Sequence, residues 1–315
     1  LFRSQKQESI MTNLKKLGLT AIAGSLVATT GYAGSLDVSG AAKVSYNTKD
    51  TSETTGNPFS MTRDITFSGS GEMDNGMTIS YFQLVSAGTF SSSGLTLDMG
   101  DAGKATFMNG ASGGHGISAY DDKMPTAGEQ VWDDLDGEAN GVLTGNKANK
   151  IGYGTSFAGA NISVDYNKQE DGGSAKSIAL DMSPMDGVMV FVGQSDEYAG
   201  VNASTDQVTF GGTYTAGAVT AGVQMTSIDK AAVNTDQDRT HIAASFAVNE
   251  DLSVSWGMST VEFEGGSTDQ EDSGFGVSYT MGSMSLTAAA NSSDNVGGTS
   301  GTDDTHKEIG LAFAF

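Results

Sequence analysis

The sequence predicts an all-β chain, a transmembrane antiparallel up-and-down β-barrel of about sixteen strands. Three observations carry that expectation. From Gly34 onward apolar and polar residues alternate with period two, in segments of about nine to eleven residues, the length a tilted strand needs to cross a bilayer. The connections between these segments are alternately short and long. Tyr46, Tyr81, Tyr166, Tyr214 and Tyr279 stand near segment ends on the apolar parity, where an interfacial aromatic belt sits.

Taken in order, residues 1–10 carry no pattern, precede a good initiator at Met11, and read as an upstream extension. Residues 11–33 read as a secretory signal peptide. Lys15 and Lys16 form a basic head, residues 17–30 an apolar and small-residue run, and Gly31-Tyr32-Ala33 the small-residue end, so cleavage is expected after Ala33. The barrel is expected over residues 34–315. Its first segment sets Leu36, Val38, Val44 and Tyr46 on one parity against Asp37, Ser39, Lys43 and Ser45 on the other. The same alternation recurs in Ile65 and Phe67 against Thr66 and Ser68, in Ile162, Val164 and Tyr166 against Ser163, Asp165 and Asn167, and in Leu252, Val254, Trp256 and Met258 against Ser253, Ser255 and Ser259. The last segment ends on Ile309, Leu311, Phe313 and Phe315. Residues 77–85 and 188–192 are apolar on both parities, which suits walls covered by a neighbouring subunit or by an infolded loop.

Seven short connections, at residues 74–76, 101–103, 158–160, 183–187, 216–217, 249–251 and 281–283, hold the Gly, Asn and Asp that tight turns favour. The long ones fall at residues 48–60, 86–93, 110–149, 168–174, 196–205, 229–238, 264–271 and 293–304. Turns on one rim and loops on the other describe a closed meander of even strand number, with the turns expected toward the periplasm. A soluble sandwich would show the same alternation. The strand length, the aromatic belt and the terminal aromatic favour the membrane barrel, whose bore at sixteen strands is too wide for side chains to fill.

The connection at residues 110–149 is the longest, and a structureless connection of that length in a compact protein is functional or disordered. It carries Asp121, Asp122, Glu129, Asp133, Asp134, Asp136 and Glu138. It also carries Val131, Trp132 and Leu135, which a fully solvated loop would gain nothing from. The expectation is that it folds into the bore and narrows it; for Asp121 and Asp122 the bland alternative is a solvated external loop. Lys43, Lys104, Lys150, Arg239 and His241 have the parity to face the bore from the wall, whereas Arg63 lies on the apolar parity.

Composition narrows the function classes. The chain has no Cys, which excludes disulfides and thiol catalysis. Its net charge is −22; without residues 1–33 it holds 12 basic and 37 acidic residues, a net charge of −25, a surface that repels nucleic acid. Beyond residue 33 no apolar run is long enough for a helical membrane span. No enzymatic activity is expected. His115, His241 and His306 show no ligand spacing and read as solvated histidines rather than a zinc site. Asp133, Asp134 and Asp136 are candidate calcium ligands, although the run Asp133-Asp134-Leu135-Asp136-Gly137-Glu138 is out of register with an EF-hand loop.

The start of the expected mature chain, GSLDVSGAAKVSYNT at residues 34–48, the segment Gly103-Lys104-Ala105-Thr106-Phe107 ahead of a long acidic connection, and the terminal IGLAFAF resemble a Gram-negative general (non-specific) porin of the sixteen-stranded, trimeric outer-membrane type. The resemblance implies a water-filled channel for passive diffusion of small hydrophilic solutes and ions, without a cofactor. It also implies a homotrimer in contact with outer-membrane lipid and lipopolysaccharide, and a terminal strand whose Phe313 and Phe315 are read by the barrel-assembly machinery. In that family the third external loop forms an eyelet whose acidic side, here Asp121 to Glu138, faces basic wall residues, here Lys43, Lys104, Lys150 and Arg239. Acids outnumber bases threefold, so a preference for cations is expected. The alternatives are a substrate-specific porin of the same fold and a secreted Gly/Ser-rich β-solenoid or surface-layer protein.

Overall fold

A computed structural model describes residues 36–48, 56–110, 114–137, 139–144, 149–168, 173–198, 204–266 and 268–315. The expected upstream extension and signal peptide, and Glu138 of the acidic connection, lie outside the described residues. The strands are β1 Leu36–Asn47, β2 Phe59–Glu72, β3 Thr78–Ser86, β4 Thr89–Asp98, β5 Lys104–Asn109, β6 Lys150–Phe157, β7 Ala160–Lys168 and β8 Ser174–Met185. They continue with β9 Val188–Tyr198, β10 Ser204–Ala216, β11 Val219–Lys230, β12 Gln237–Ala247, β13 Leu252–Phe263, β14 Gln270–Met281, β15 Met284–Asp294 and β16 Asp304–Ala314.

Each strand pairs antiparallel with its sequence neighbours, and β16 pairs with β1, so the sheet closes on itself without an edge. Closure satisfies every strand's backbone within the sheet, which is what a span through hydrocarbon demands. A β-solenoid, with its parallel coils, is thereby overturned. The last residue completes the seam. Phe315 N–H donates to Gly40 O (2.9 Å) and Gly40 N–H to Phe315 O (2.7 Å). The Phe315 ring lies over Gly40, where a Cβ would come within 2.4 Å of it, so this position has no room for a side chain unless the ring moves.

The period-two pattern places one parity outward. On β1, Val38, Val44 and Tyr46 are exposed while Ser45 and Asn47 are buried. The outward residues of the other strands, among them Val192, Phe210, Met225, Ile242 and Phe275, are likewise exposed around the circumference. In water so continuous an apolar surface would drive aggregation; against lipid it is the solvated face. Aromatics concentrate toward both ends. Tyr46, Phe59 and Tyr166 lie near the loop rim, the first two edge to face with ring centroids 5.5 Å apart, and Phe157, Tyr214, Phe246 and Tyr279 lie near the turn rim.

Three local features differ from the sequence expectation or sharpen it. Residues 86–93 are not a long loop. Ala87 (φ 51°) and Gly88 (φ 86°) make a two-residue hairpin turn, and the serines that follow are in β4, which takes a register shift opposite Leu84/Val85. Strands β5 and β6 span six and eight residues, shorter than the expected length. Finally, the doubly apolar segments of β3 and β9 point half their side chains inward. Phe82 lies over Gly94, itself beside Met108, and Met189 and Phe191 pack against the inner side of the long connection.

Candidate functional site

The described residues of the long connection, 114–137 and 139–144, lie inside the barrel, crossing it from β7 to β16 and returning. Lacking regular structure, its backbone needs partners, and buried amides and carbonyls without them are costly. The inward face of the wall supplies them. On the outward leg Gly116 N–H donates to Ser163 Oγ (2.6 Å), Ile117 N–H to Ser177 Oγ (3.0 Å) and Ala127 N–H to Ser255 Oγ (2.9 Å). At the far wall Asp136 N–H donates to Asp304 Oδ2 (2.7 Å). On the return leg Gln270 Nε2 donates to Gly137 O (2.9 Å), His241 Nε2 to Ala139 O (2.7 Å), and Arg239 Nη1 to Asn140 O (2.7 Å). Thr226 Oγ1 then donates to Gly141 O (2.6 Å), and Gln207 pairs with both backbone groups of Leu143.

Apolar side chains on the same segment seal the contact. Ile117, Tyr120, Met124, Val131, Trp132 and Val142 are buried against Ala179, Phe191 and Ala243. Tyr120 stacks on Phe191 at 4.6 Å and Trp132 meets the His241 ring edge-on at 4.4 Å. Truncating a buried aromatic of this kind costs about 3–5 kcal/mol, so the segment is a packed element rather than a tether. It shields the inner face of β6–β16 and leaves the inner face of β1–β5 toward the remaining bore. A cavity of about 730 Å³ opens on its turn-rim side, lined by Asp101, Lys104, His115, Lys123 and Asp181 among others.

The predicted acidic residues divide. Asp122, Asp134 and Asp136 are exposed, while Asp121, Glu129 and Asp133 are half-buried. Asp133 Oδ2 accepts the Gln130 N–H (2.8 Å). Burial, reinforced by repulsion from Glu308 and Asp134, pushes the Glu129 carboxyl up to about 7. At the start of the segment, burial lowers the His115 imidazole below its usual range. The expected calcium set is not assembled as such: the structure draws Asp134 toward Glu129 and His306 instead of toward Asp133 and Asp136.

The predicted basic wall needs correction. Lys43 faces inward and is ion-paired with Glu308, and Lys104 with Asp98 at 2.9 Å. Lys150 and Arg239 also point inward, as their parity requires, but the connection covers them. Lys150 is 2 % exposed and paired with Asp165 at 3.0 Å. Arg239 is buried and spends its guanidinium on Asn140 O and on Gln237 Oε1 (2.8 Å). His241 is buried as well, a support for the loop rather than a pore-facing group. Sequence reasoning missed Gln207, Gln224, Thr226 and Gln270, the wall residues that grip the loop carbonyls; their only signal was a polar side chain on the inward parity.

The family described as Gram-negative porin matches residues 17–315. No curated protein matches the chain. Solved structures that it resembles include a porin refined at 1.8 Å resolution, at 16 % identity and TM-score 0.70, covering 89 % of this chain and 100 % of that one. An anion-selective porin from Comamonas acidovorans is 15 % identical at TM-score 0.66, covering 90 % and 100 %. A mutant porin of Rh. blastica is 15 % identical at TM-score 0.64, covering 89 % and 100 %.

Proposed function

The chain belongs to the Gram-negative porin family, and from that premise we propose that it is a passive diffusion channel for small hydrophilic solutes and ions, with a preference for cations. The family places it in the outer membrane. The acidic connection is the eyelet: it occupies the side of the bore along β6–β16 and leaves passage along β1–β5. One observation carries the preference. Asp122, Asp134 and Asp136 stay exposed, whereas Lys43, Lys104 and Lys150 each hold a carboxylate partner and Arg239 is buried under the loop. The bore therefore presents net negative charge, and carboxylates lining a constriction favour cations.

In a planar bilayer under a salt gradient the reversal potential should have the sign of cation preference. Neutralising Asp122, Asp134 and Asp136 together to Asn should bring it toward zero, most visibly at low salt where screening is weak. A clear anion preference of the unmodified channel would overturn the reading.

We further propose that the assembly is a homotrimer, embedded among outer-membrane lipid and lipopolysaccharide, with the terminal strand through Phe313 and Phe315 as the signal for the barrel-assembly machinery. The exposed aromatics Phe313 and Phe315, the latter closing the seam against Gly40, support the last assignment. Unheated, the detergent-solubilised protein should migrate as a trimer that collapses to monomer on boiling. A monomer that keeps its folded mobility at all protein concentrations would remove the trimer.

A further inference from the structure

Where the eyelet loop reaches β16, three side chains far apart in the sequence converge. One oxygen each of Glu129 and Asp134, and a ring nitrogen of His306, all lie within 4.8 Å of one another. His306 Nδ1 stands 3.6 Å from Asp134 Oδ2 and 3.9 Å from Glu129 Oε1, both beyond hydrogen-bond length. The His306 side chain is 2 % exposed, and among the described residues neither its Nδ1 nor Glu129 Oε1 has a hydrogen-bond partner although both atoms are buried. Buried polar atoms are ordinarily satisfied, so a ring nitrogen aimed without a partner at two carboxylates points to a missing third party.

We infer that Glu129, Asp134 and His306 form a binding site for a first-row divalent transition-metal ion that ties the eyelet loop to the barrel wall. Metal–nitrogen and metal–oxygen bonds of about 2.0–2.2 Å separate neighbouring ligand atoms by roughly 3.3–3.5 Å in a tetrahedral site. The two spacings from His306 need to close by a few tenths of an ångström, and the two carboxylate oxygens, within 4.8 Å of each other, by at most about 1.5 Å. One imidazole with two carboxylates suits zinc, nickel or copper; calcium and magnesium want an all-oxygen shell. Asp134 has 46 % of its side chain exposed, which gives the ion a route from the bore and leaves a coordination position for water. Glu308, two residues along β16, is shared with Lys43, and Asp304 holds the Asp136 amide. Two of the three ligands belong to the loop and one to the wall, so the ion is a clasp and also neutralises part of the eyelet's negative charge.

The test is a calorimetric titration of the intact, chelator-stripped protein in detergent with zinc, paired with cobalt as an optical probe. Expected are one ion per chain and the intense visible bands of four- or five-coordinate cobalt. Affinity should fall on the order of 100-fold or more in Asp134→Asn and in His306→Gln, beyond the loss usual for an outer-shell change. Asp122→Asn, an exposed carboxylate of the same loop, should leave it unchanged. Asp134 is exposed and its variant should fold as the parent does; retention of heat-modifiable mobility checks His306→Gln. Absence of zinc uptake at millimolar concentration, weak octahedral cobalt bands only, or equal affinity in His306→Gln would overturn the site in favour of a proton shared by His306 and the carboxylates. Binding read in this way does not depend on how the channel selects its ions.

Discussion

Replacing residues 116–143 with a short Gly/Ser linker should raise single-channel conductance several-fold and weaken ion selectivity. A barrel of sixteen strands cannot fill its own bore with side chains, so in the proposed channel what narrows the bore is the segment laid across it. The segment runs from Ser163 on β7 to Asp304 on β16 and returns along Gln270, His241, Thr226 and Gln207. Its removal uncovers hydroxyls, amides and charged groups that water can serve, and an apolar patch that includes Ala179, Met189, Phe191 and Ala243. The strand ladder that closes through β1 and β16 is untouched. The shortened protein should therefore keep its heat-modifiable gel mobility while conductance in a planar bilayer rises. A folded variant with unchanged conductance would mean that the narrowest point lies elsewhere.

The barrel was legible because lipid and water impose opposite demands on alternate residues, and no strand such as β1 or β13 meets both with another pattern. The turn at Ala87-Gly88 was not, because the run Ser91-Ser92-Ser93-Gly94 after it reads as loop, although an Ala-Gly pair of the same positive φ makes the turn at Ala158-Gly159. In the site, Val131, Trp132 and Leu135 marked a segment with something to bury, and all three are buried. What sequence could not supply was the loop's footprint. Lys150 and Arg239 have the inward parity of a pore-facing base, yet whether an inward residue meets water or protein depends on where the loop lies over the wall. Gln224 shows the same limit: it reads as one more polar residue on the wet face, and in the structure it donates to Tyr120 O (2.9 Å) and Gly141 O (3.2 Å). Glu129, Asp134 and His306 meet only because the loop spans the bore.

Lys150→Met should destabilise the folded barrel by about 3–5 kcal/mol, whereas Lys150→Met combined with Asp165→Leu should be close to neutral. Both members of the pair are 2 % exposed, which is unusual for charged groups on the inner wall of a wide barrel. The loop accounts for it. The His115 ring lies over Gly152, where a Cβ would come within 2.4 Å of the ring, and Gly116, at φ +60°, sits so close to Asp165 and Ser177 that its own Cβ would collide with both. Lys150 closes the loop at the first residue of β6, and Asp165 stands on the adjacent β7, so the ion pair ties the returning end of the excursion to the wall beneath its own lid. Deleting the ammonium strands a buried carboxylate, and the protein must either leave the charge unpaired or lift the His115–Gly116 segment to hydrate it. Deleting both charges removes that conflict and leaves apolar volume in its place. Denaturant unfolding of the single and double variants in detergent, followed by the loss of heat-modifiable mobility, separates the two outcomes. A single variant as stable as the parent would show that water already reaches Asp165 and that the lid is open.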